Sequence, residues 1–267
     1  MTGQNTSSAV MQQRIEPHDS LDFFPTPPWV GRILCHELER LGLKDRVDCG
    51  RSVTCWEPAY GAGDLALGLA DSFTGMLYSD IYPHPPRAGM RAPVIGDFLI
   101  DALWQEDDGP TGADWIITNP PFKVGPQFIQ TAIRRAKVGV AMFVRTSFLE
   151  GGARLRNLFL PHPPALILQF SERAPLFKGK LRDPSQKYWD AKADKWRSPS
   201  SATSYCWIIW THGANHLQFD WIPPCRRKFE RAGDYPPPDL PPDAAAPDLL
   251  SFAPTQADQP QSQGDAS

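Results

Sequence analysis

Asn119-Pro120-Pro121-Phe122 is the segment of this 267-residue chain whose residue types and order most directly suggest chemistry. It follows residues 113–118 (ADWIIT), an apolar, β-branched run with the character of a strand. Consecutive prolines supply no backbone N–H and hold φ near −65°, so the strand must stop there and the backbone beyond it is stiff. The Asn119 side-chain oxygen and the Pro120 carbonyl are thereby presented at the end of a sheet as two acceptors, with Phe122 as an aromatic face. Two adjacent acceptors suit an aromatic amine. The lone pair of such an amine is delocalised into its ring, and holding both of its protons favours localising that pair on nitrogen. Phe122 would stack on the ring that carries the amine, a contact worth about 1–3 kcal/mol in single-stranded nucleic-acid sites. An Asn-Pro pair that only opens a turn is the plain alternative, and it leaves the rest of the tetrapeptide unexplained.

A second constellation lies upstream. Glu57-Pro58-Ala59-Tyr60-Gly61-Ala62-Gly63 follows the strand-like run 51–56 (RSVTCW), where open α/β sheets bind ligands at the carboxyl ends of their strands. Gly61 and Gly63 permit a tight turn and close backbone approach. Glu57 suits an ammonium group better than a phosphate, which favours an amino-acid-bearing cofactor over a dinucleotide; an ordinary turn is the alternative. Asp80 stands 17 residues past Gly63, an interval at which a carboxylate can accept both ribose hydroxyls of a nucleoside. Asp97, in Gly-Asp-Phe-Leu, could accept from an adenine amino group or cap the following helix, and the two roles are compatible.

These residues need a scaffold that brings strand ends together. Short β-branched runs alternate with helical stretches, which predicts a doubly wound, mostly parallel α/β sheet. Strands are expected at 51–56, 75–79, 93–96, 113–118, 138–144 and 165–170, and helices at 64–73, 124–137 and 152–160. A helix should precede the sheet, with Thr26 as its N-cap and Pro27 at its first position. Residues 204–211 (SYCWIIWT) read as a central strand, with 216–222 pairing against it as a C-terminal antiparallel hairpin. No internal repeat is evident.

Composition bounds the rest. A hydrophobic content of 41% supports one main core, no run of about 18 apolar residues spans a membrane, and the N-terminus lacks the layout of a secretory signal. A soluble, intracellular protein is expected. The five cysteines (Cys35, Cys49, Cys55, Cys206, Cys225) are odd in number and lack paired short spacings, which argues against disulfides and a zinc site. No metal is predicted. The net charge of −3 is dominated by six aspartates after residue 233, which leave about +3 on the body. The Pro/Asp-rich segment 234–267 and residues 1–18 are expected to be disordered, with one folded unit over 19–233.

Taken together, the motifs resemble the amino-methylating DNA adenine methyltransferases, whose signature is Asp/Asn/Ser-Pro-Pro-Tyr/Phe after the fourth strand. DFFPTPPWV (22–30), EPAYGAG, SDIYP and IGDFL are similar to that family's cofactor segments in the gamma-type order, while RTSFLEG (145–151) and SATSYCWIIW (201–210) resemble small phage and prophage enzymes. The likeness covers about residues 20–212. It implies a Rossmann-like class I fold and S-adenosylmethionine as cofactor. It places Pro25 and Thr26 at the cofactor, with Glu57, Ala59, Gly61 and Gly63 from the glycine motif. Asp80, Ile81, Asp97, Phe98 and Asn119 complete that site, and Asn119, Pro120, Pro121 and Phe122 form the catalytic one. It further implies adenine N6 methylation of DNA, with the base extruded from the helix, in a bacterial or phage-infected host cytoplasm. An RNA base, a protein glutamine amide, or a binding module that has lost catalysis are the rival readings.

Longer relatives carry a separate recognition domain for which this chain has no room. Residues 171–200 are the available substitute: from 173 to 197 eight basic residues face three acidic ones, interleaved with aromatics. Lys178, Lys180, Arg182, Lys187 and Arg197 would meet phosphates, while Trp189 and Trp196 would stack on bases. A solvated surface insertion is the alternative. So small a recognition surface predicts a short or relaxed target sequence.

Overall fold

The computed structural model describes residues 23–44, 52–104, 112–214 and 216–242. The expected disorder of 1–18, and of the tail beyond 242, lies outside these residues. Helix α1 (Pro28–Arg40) comes first, followed by β1 (Thr54–Glu57), α2 (Asp64–Leu69), β2 (Gly75–Asp80), β3 (Val94–Ile95) and β4 (Trp115–Thr118). Then come α3 (Gly125–Arg135), β5 (Gly139–Arg145), a short α4 (Gly152–Arg154) and β6 (Leu166–Phe170). The hairpin strands β7 (Tyr188–Asp190) and β8 (Lys195–Arg197) precede β9 (Tyr205–Thr211), β10 (Gln218–Ile222) and α5 (Arg226–Phe229). Where a regular helix was expected over 152–160, only the first turn is α and Leu155–Phe159 is π-helical.

Eight strands form one sheet in the order β10-β6-β9-β5-β4-β1-β2-β3, parallel throughout except for β9. Successive residues of a strand point to opposite faces, and here both faces are covered. Cys55, Ile117, Phe143 and Trp207 pack beneath Trp29, Leu34 and Leu38 of α1. Their neighbours Trp56, Ile116, Met142 and Ile208 pack with Phe128 and Ile129 of α3 and with Leu158. The strand ends that carry the chemistry therefore rest on a core closed from both sides.

The expected hairpin between β9 and β10 does not form. β9 is buried from Tyr205 to Trp210 and hydrogen-bonds to β5 on one edge and β6 on the other, both antiparallel. A strand buried on both faces and flanked on both edges has no edge left for its successor. The chain therefore steps over the end of β6, and β10 pairs in parallel with the far side of β6, from Gln218↔Leu166 to Ile222↔Phe170.

The Pro/Asp-rich segment also departs from the expectation, because residues 234–242 are packed against the domain. Asp234 is 1% exposed and pairs through both carboxylate oxygens with the Arg32 guanidinium of α1, at 2.7 and 2.8 Å. Tyr235 packs on the core and donates its hydroxyl hydrogen to Glu230. Composition averaged over 34 residues hid this anchor, because one well-placed carboxylate opposite a buried arginine outweighs the propensity of its surroundings. Among the described residues no helix is long and apolar enough to cross a membrane.

Candidate active site

Asn119 leaves the end of β4 with its amide fixed in one orientation. Its nitrogen donates to the Phe24 carbonyl at 3.2 Å and to the Thr26 hydroxyl at 3.0 Å. A backbone carbonyl can only accept, so the NH₂ group must face Phe24 and the oxygen must face the other way. That oxygen is buried and has no partner. A buried acceptor left unsatisfied costs about 1–3 kcal/mol, a cost recovered when a donor arrives. Thr26 is thus not the cap of α1, which begins one residue later with Pro27 in the N-cap place. Its hydroxyl serves the Asn119 amide instead.

A cavity of about 320 Å³ opens beside this amide at the carboxyl ends of β1, β2 and β4. Of the residues that the resemblance assigns to a cofactor, Pro25, Thr26, Glu57, Ala59, Gly61, Asp80, Ile81, Asp97, Phe98 and Asn119 line it; Gly63 does not. Gly63 instead shapes the turn at φ +89°, where a Cβ would lie 2.4 Å from the Tyr60 hydroxyl. Gly61, at φ +56°, would put its Cβ 2.7 Å from the Phe23 ring. Asp80 accepts the Gly61 N–H at 2.7 Å and the Tyr82 N–H at 2.9 Å, one on each oxygen, and each oxygen can accept again. Asp97 accepts the Leu99 N–H at 2.8 Å, closing a turn rather than capping a helix as expected, because the next helical segment begins only at Asp101; it still lines the cavity.

Glu57 is the electrostatic centre of the cavity. It is 2% exposed, one of its oxygens has no partner, and the Ala66 backbone N–H donates a hydrogen bond to its carboxylate. Burial, and then the neighbouring carboxylates of Asp64 and Asp80, push its pKa well above the ordinary carboxylate range. An arriving cation would reverse that balance. The aromatic rim of the cavity was not singled out by sequence. Phe23 stacks on His84 with ring centroids 4.2 Å apart, and Tyr82 leans on His84 at 4.7 Å. The paired phenylalanines before Pro25 were the available signal, but their partner lies some 60 residues away on another loop.

No family model and no curated protein matches the sequence. Solved structures do match. The methyltransferase subunit of a type I restriction-modification system from Streptococcus thermophilus aligns at 12% identity and a TM-score of 0.50, over 73% of this chain and 46% of that one. This chain thus spans about half the length of that subunit. The fold is that of class I methyltransferases. Looser matches include the magnesium protoporphyrin IX methyltransferase of Synechocystis, solved with S-adenosylmethionine, at 12% identity, 69% and 79% coverage and a TM-score of 0.38. Another is the ribosomal protein L11 methylase of Lactobacillus delbrueckii, at 13% identity, 68% and 80% coverage and a TM-score of 0.37.

In this methyltransferase fold a second cavity of about 280 Å³ lies on the other side of the prolines, lined by Pro120, Pro121, Phe122, Arg145 and Phe148 among others. Asn119 lines the first cavity, Pro120 the second and Pro121 both, so the tetrapeptide is the partition between them. Phe122 is half-buried, with Phe24 tilted against it at 5.1 Å and the Arg145 guanidinium 4.5 Å from its centroid. A base could stack only on the surface that Phe122 turns to the second cavity.

The basic insertion is less available than its composition implies. Lys180 and Arg182 both pair with Asp239 of the packed tail, and Arg197 pairs with Asp190 at 2.8 Å. Arg182 also lies over the Tyr188 ring. Trp189 and Trp196 face each other edge to face across β7 and β8, 5.8 Å apart, with Trp196 still 48% exposed. Lys178 and Lys187 are exposed. The structure thus gathers the expected cofactor residues other than Gly63, and the expected catalytic ones, around one partition. The expected basic and tryptophan contacts lie apart, along the segment 178–187 and the β7–β8 hairpin, with Lys180 and Arg182 neutralised by Asp239.

Proposed function

We propose that the protein is a DNA adenine-N6 methyltransferase that uses S-adenosylmethionine. The observation that carries this reading is the Asn119 amide, locked by Phe24 and Thr26 so that an unsatisfied oxygen is left for a donor. The residues of the first cavity fit the cofactor: the orphaned Glu57 oxygen suits its ammonium, Asp80 its ribose, and Ile81, 62% exposed at the mouth, offers an apolar wall to its base. When bound, S-adenosylmethionine supplies a methyl carbon activated by a sulfonium.

The chain's own part is positional. Asn119 Oδ1 and the Pro120 carbonyl hold the two protons of the target amine, which keeps its lone pair on nitrogen and facing the partition. The hydrogen bond that closes the turn goes from Val124 to the Pro121 carbonyl, leaving that of Pro120 outside the turn's own bonding. Extrusion of the base costs a few kcal/mol in duplex DNA, offset by Phe122 and the two acceptors. Methyl transfer leaves that nitrogen with both protons and a positive charge, so it is strongly acidic; one proton passes to water, the other stays on the methylated amine, and no strong base is needed. The type I subunit, itself part of a restriction-modification system, is consistent with a DNA target.

The test is to incubate labelled cofactor with DNA, RNA and protein in parallel and to digest the products to nucleosides for mass spectrometry. Label on N6 of deoxyadenosine supports the reading; label on RNA or on glutamine overturns it. Asn119→Ala should abolish turnover while leaving cofactor binding intact.

A further inference from the structure

Seven arginines of the described chain are buried or partly buried, and six of them are held by carboxylates or backbone carbonyls of the protein. Arg32, Arg87, Arg135, Arg182 and Arg226 each pair with a carboxylate. Arg154 is held by the carbonyls of Ser147, Phe148 and Glu150. Arg145 is the exception. It ends β5, opposite Tyr205 in the β5–β9 register, and it lines the second cavity beside Pro120, Pro121 and Phe122. Its guanidinium donates a hydrogen bond to the Tyr205 hydroxyl, but its Nε is buried without a partner, and among the described residues no carboxylate pairs with it.

A partly buried cation without a counter-charge is unfavourable unless a ligand brings one. Its planar fork of donors matches the oxygens of a phosphate. The nearest functional feature is the cavity that the proposed reading gives to the target base, and the group in an oligonucleotide that carries net charge is the phosphodiester. A glutamine side chain in a protein would bring no such charge. We infer that Arg145 clamps the phosphodiester adjoining the extruded adenosine, with one face of its guanidinium bracing Phe122. This assignment rests on the proposed function and names the substrate class more narrowly, as a nucleic-acid strand held by its backbone at the reacting nucleotide.

The test replaces, one at a time, the phosphodiesters flanking the target adenine with uncharged methylphosphonates, and compares kcat/KM for the wild type and Arg145→Gln. The wild type should lose on the order of tenfold to a hundredfold at one linkage. Arg145→Gln should show a similar loss on unmodified DNA and none in addition at that linkage, with Arg145→Lys in between. The dependence of DNA affinity on salt should also flatten by about 0.7–0.9 in log–log slope, one phosphate contact fewer. If a methylphosphonate costs the variant as much as the wild type at every linkage, the clamp is refuted. Should Arg145→Gln fail to fold, as judged by cofactor binding and melting, the same comparison with Arg145→Lys decides. Absence of label from deoxyadenosine with the unmodified wild type would instead refute the proposed function itself.

Discussion

Asp234→Ala tests whether a segment whose composition predicts disorder is a structural member of the domain. Asp234 is 1% exposed and Arg32 8% exposed, and they share two hydrogen bonds at 2.7 and 2.8 Å. Asp234 also accepts the Arg231 N–H at 2.9 Å. Without the carboxylate, Arg32 retains the Phe229 carbonyl at 2.8 Å, and its Nε already lacks a partner. Breaking a buried pair from one side costs about 3–5 kcal/mol, because the remaining charge is stranded. For a domain of this size that corresponds to a melting temperature lower by about 6–20 °C. Calorimetry and urea unfolding would measure it, with Asp258→Ala, far out in the tail, as a control expected within about 0.5 kcal/mol of wild type. The joint replacement Arg32→Met with Asp234→Leu should recover most of the loss. Truncation after residue 233 should reproduce the destabilisation, and truncation after 242 should not. A cost for Asp234→Ala under about 1 kcal/mol would refute the argument.

Two further predictions concern the site. Glu57 in the folded, ligand-free chain holds its proton more tightly than in the unfolded chain. Its contribution to stability is therefore present below the ordinary carboxylate range and is lost as pH rises through its raised folded value. Affinity for a cofactor ammonium should increase across that same interval. Glu57→Gln should remove both trends, raising the ligand-free melting temperature at neutral pH while weakening S-adenosylmethionine in titration calorimetry; an unchanged pH profile of binding would count against the assignment. Thr26→Val removes one of the two acceptors that orient Asn119. The net worth of such a bond is about 0.5–1.5 kcal/mol, so kcat should fall roughly two- to tenfold, with Thr26→Ser restoring it. Equal activity of the valine and serine variants would show that the amide needs no such anchor.

Features set by neighbouring residues were legible in the chain. Pro120 and Pro121 must end a strand, Gly61 and Gly63 adopt the positive φ that a tight turn needs, and the β-branched runs became β1 to β6 within a few residues of their expected bounds. All but one of the expected cofactor residues meet at one cavity for that reason, since the doubly wound pattern places strand ends together. What depends on partners distant in sequence was not legible. Whether β10 pairs with β9 or with β6 is decided by which edge remains open once β6 is in place. The same holds for single side chains. Thr26 reads as a helix cap until Asn119, 93 residues on, claims its hydroxyl. Lys180 and Arg182 read as phosphate contacts until Asp239 neutralises them, and Asp234 reads as a solvated tail residue until Arg32 faces it. Local backbone preferences act over a few residues, whereas hydrogen bonding and charge neutralisation in a dry interior depend on what folding brings within about 3 Å. The residue types at the site could therefore be named from the chain alone, but the orientation of the Asn119 amide, on which the proposed chemistry rests, was settled by tertiary contact.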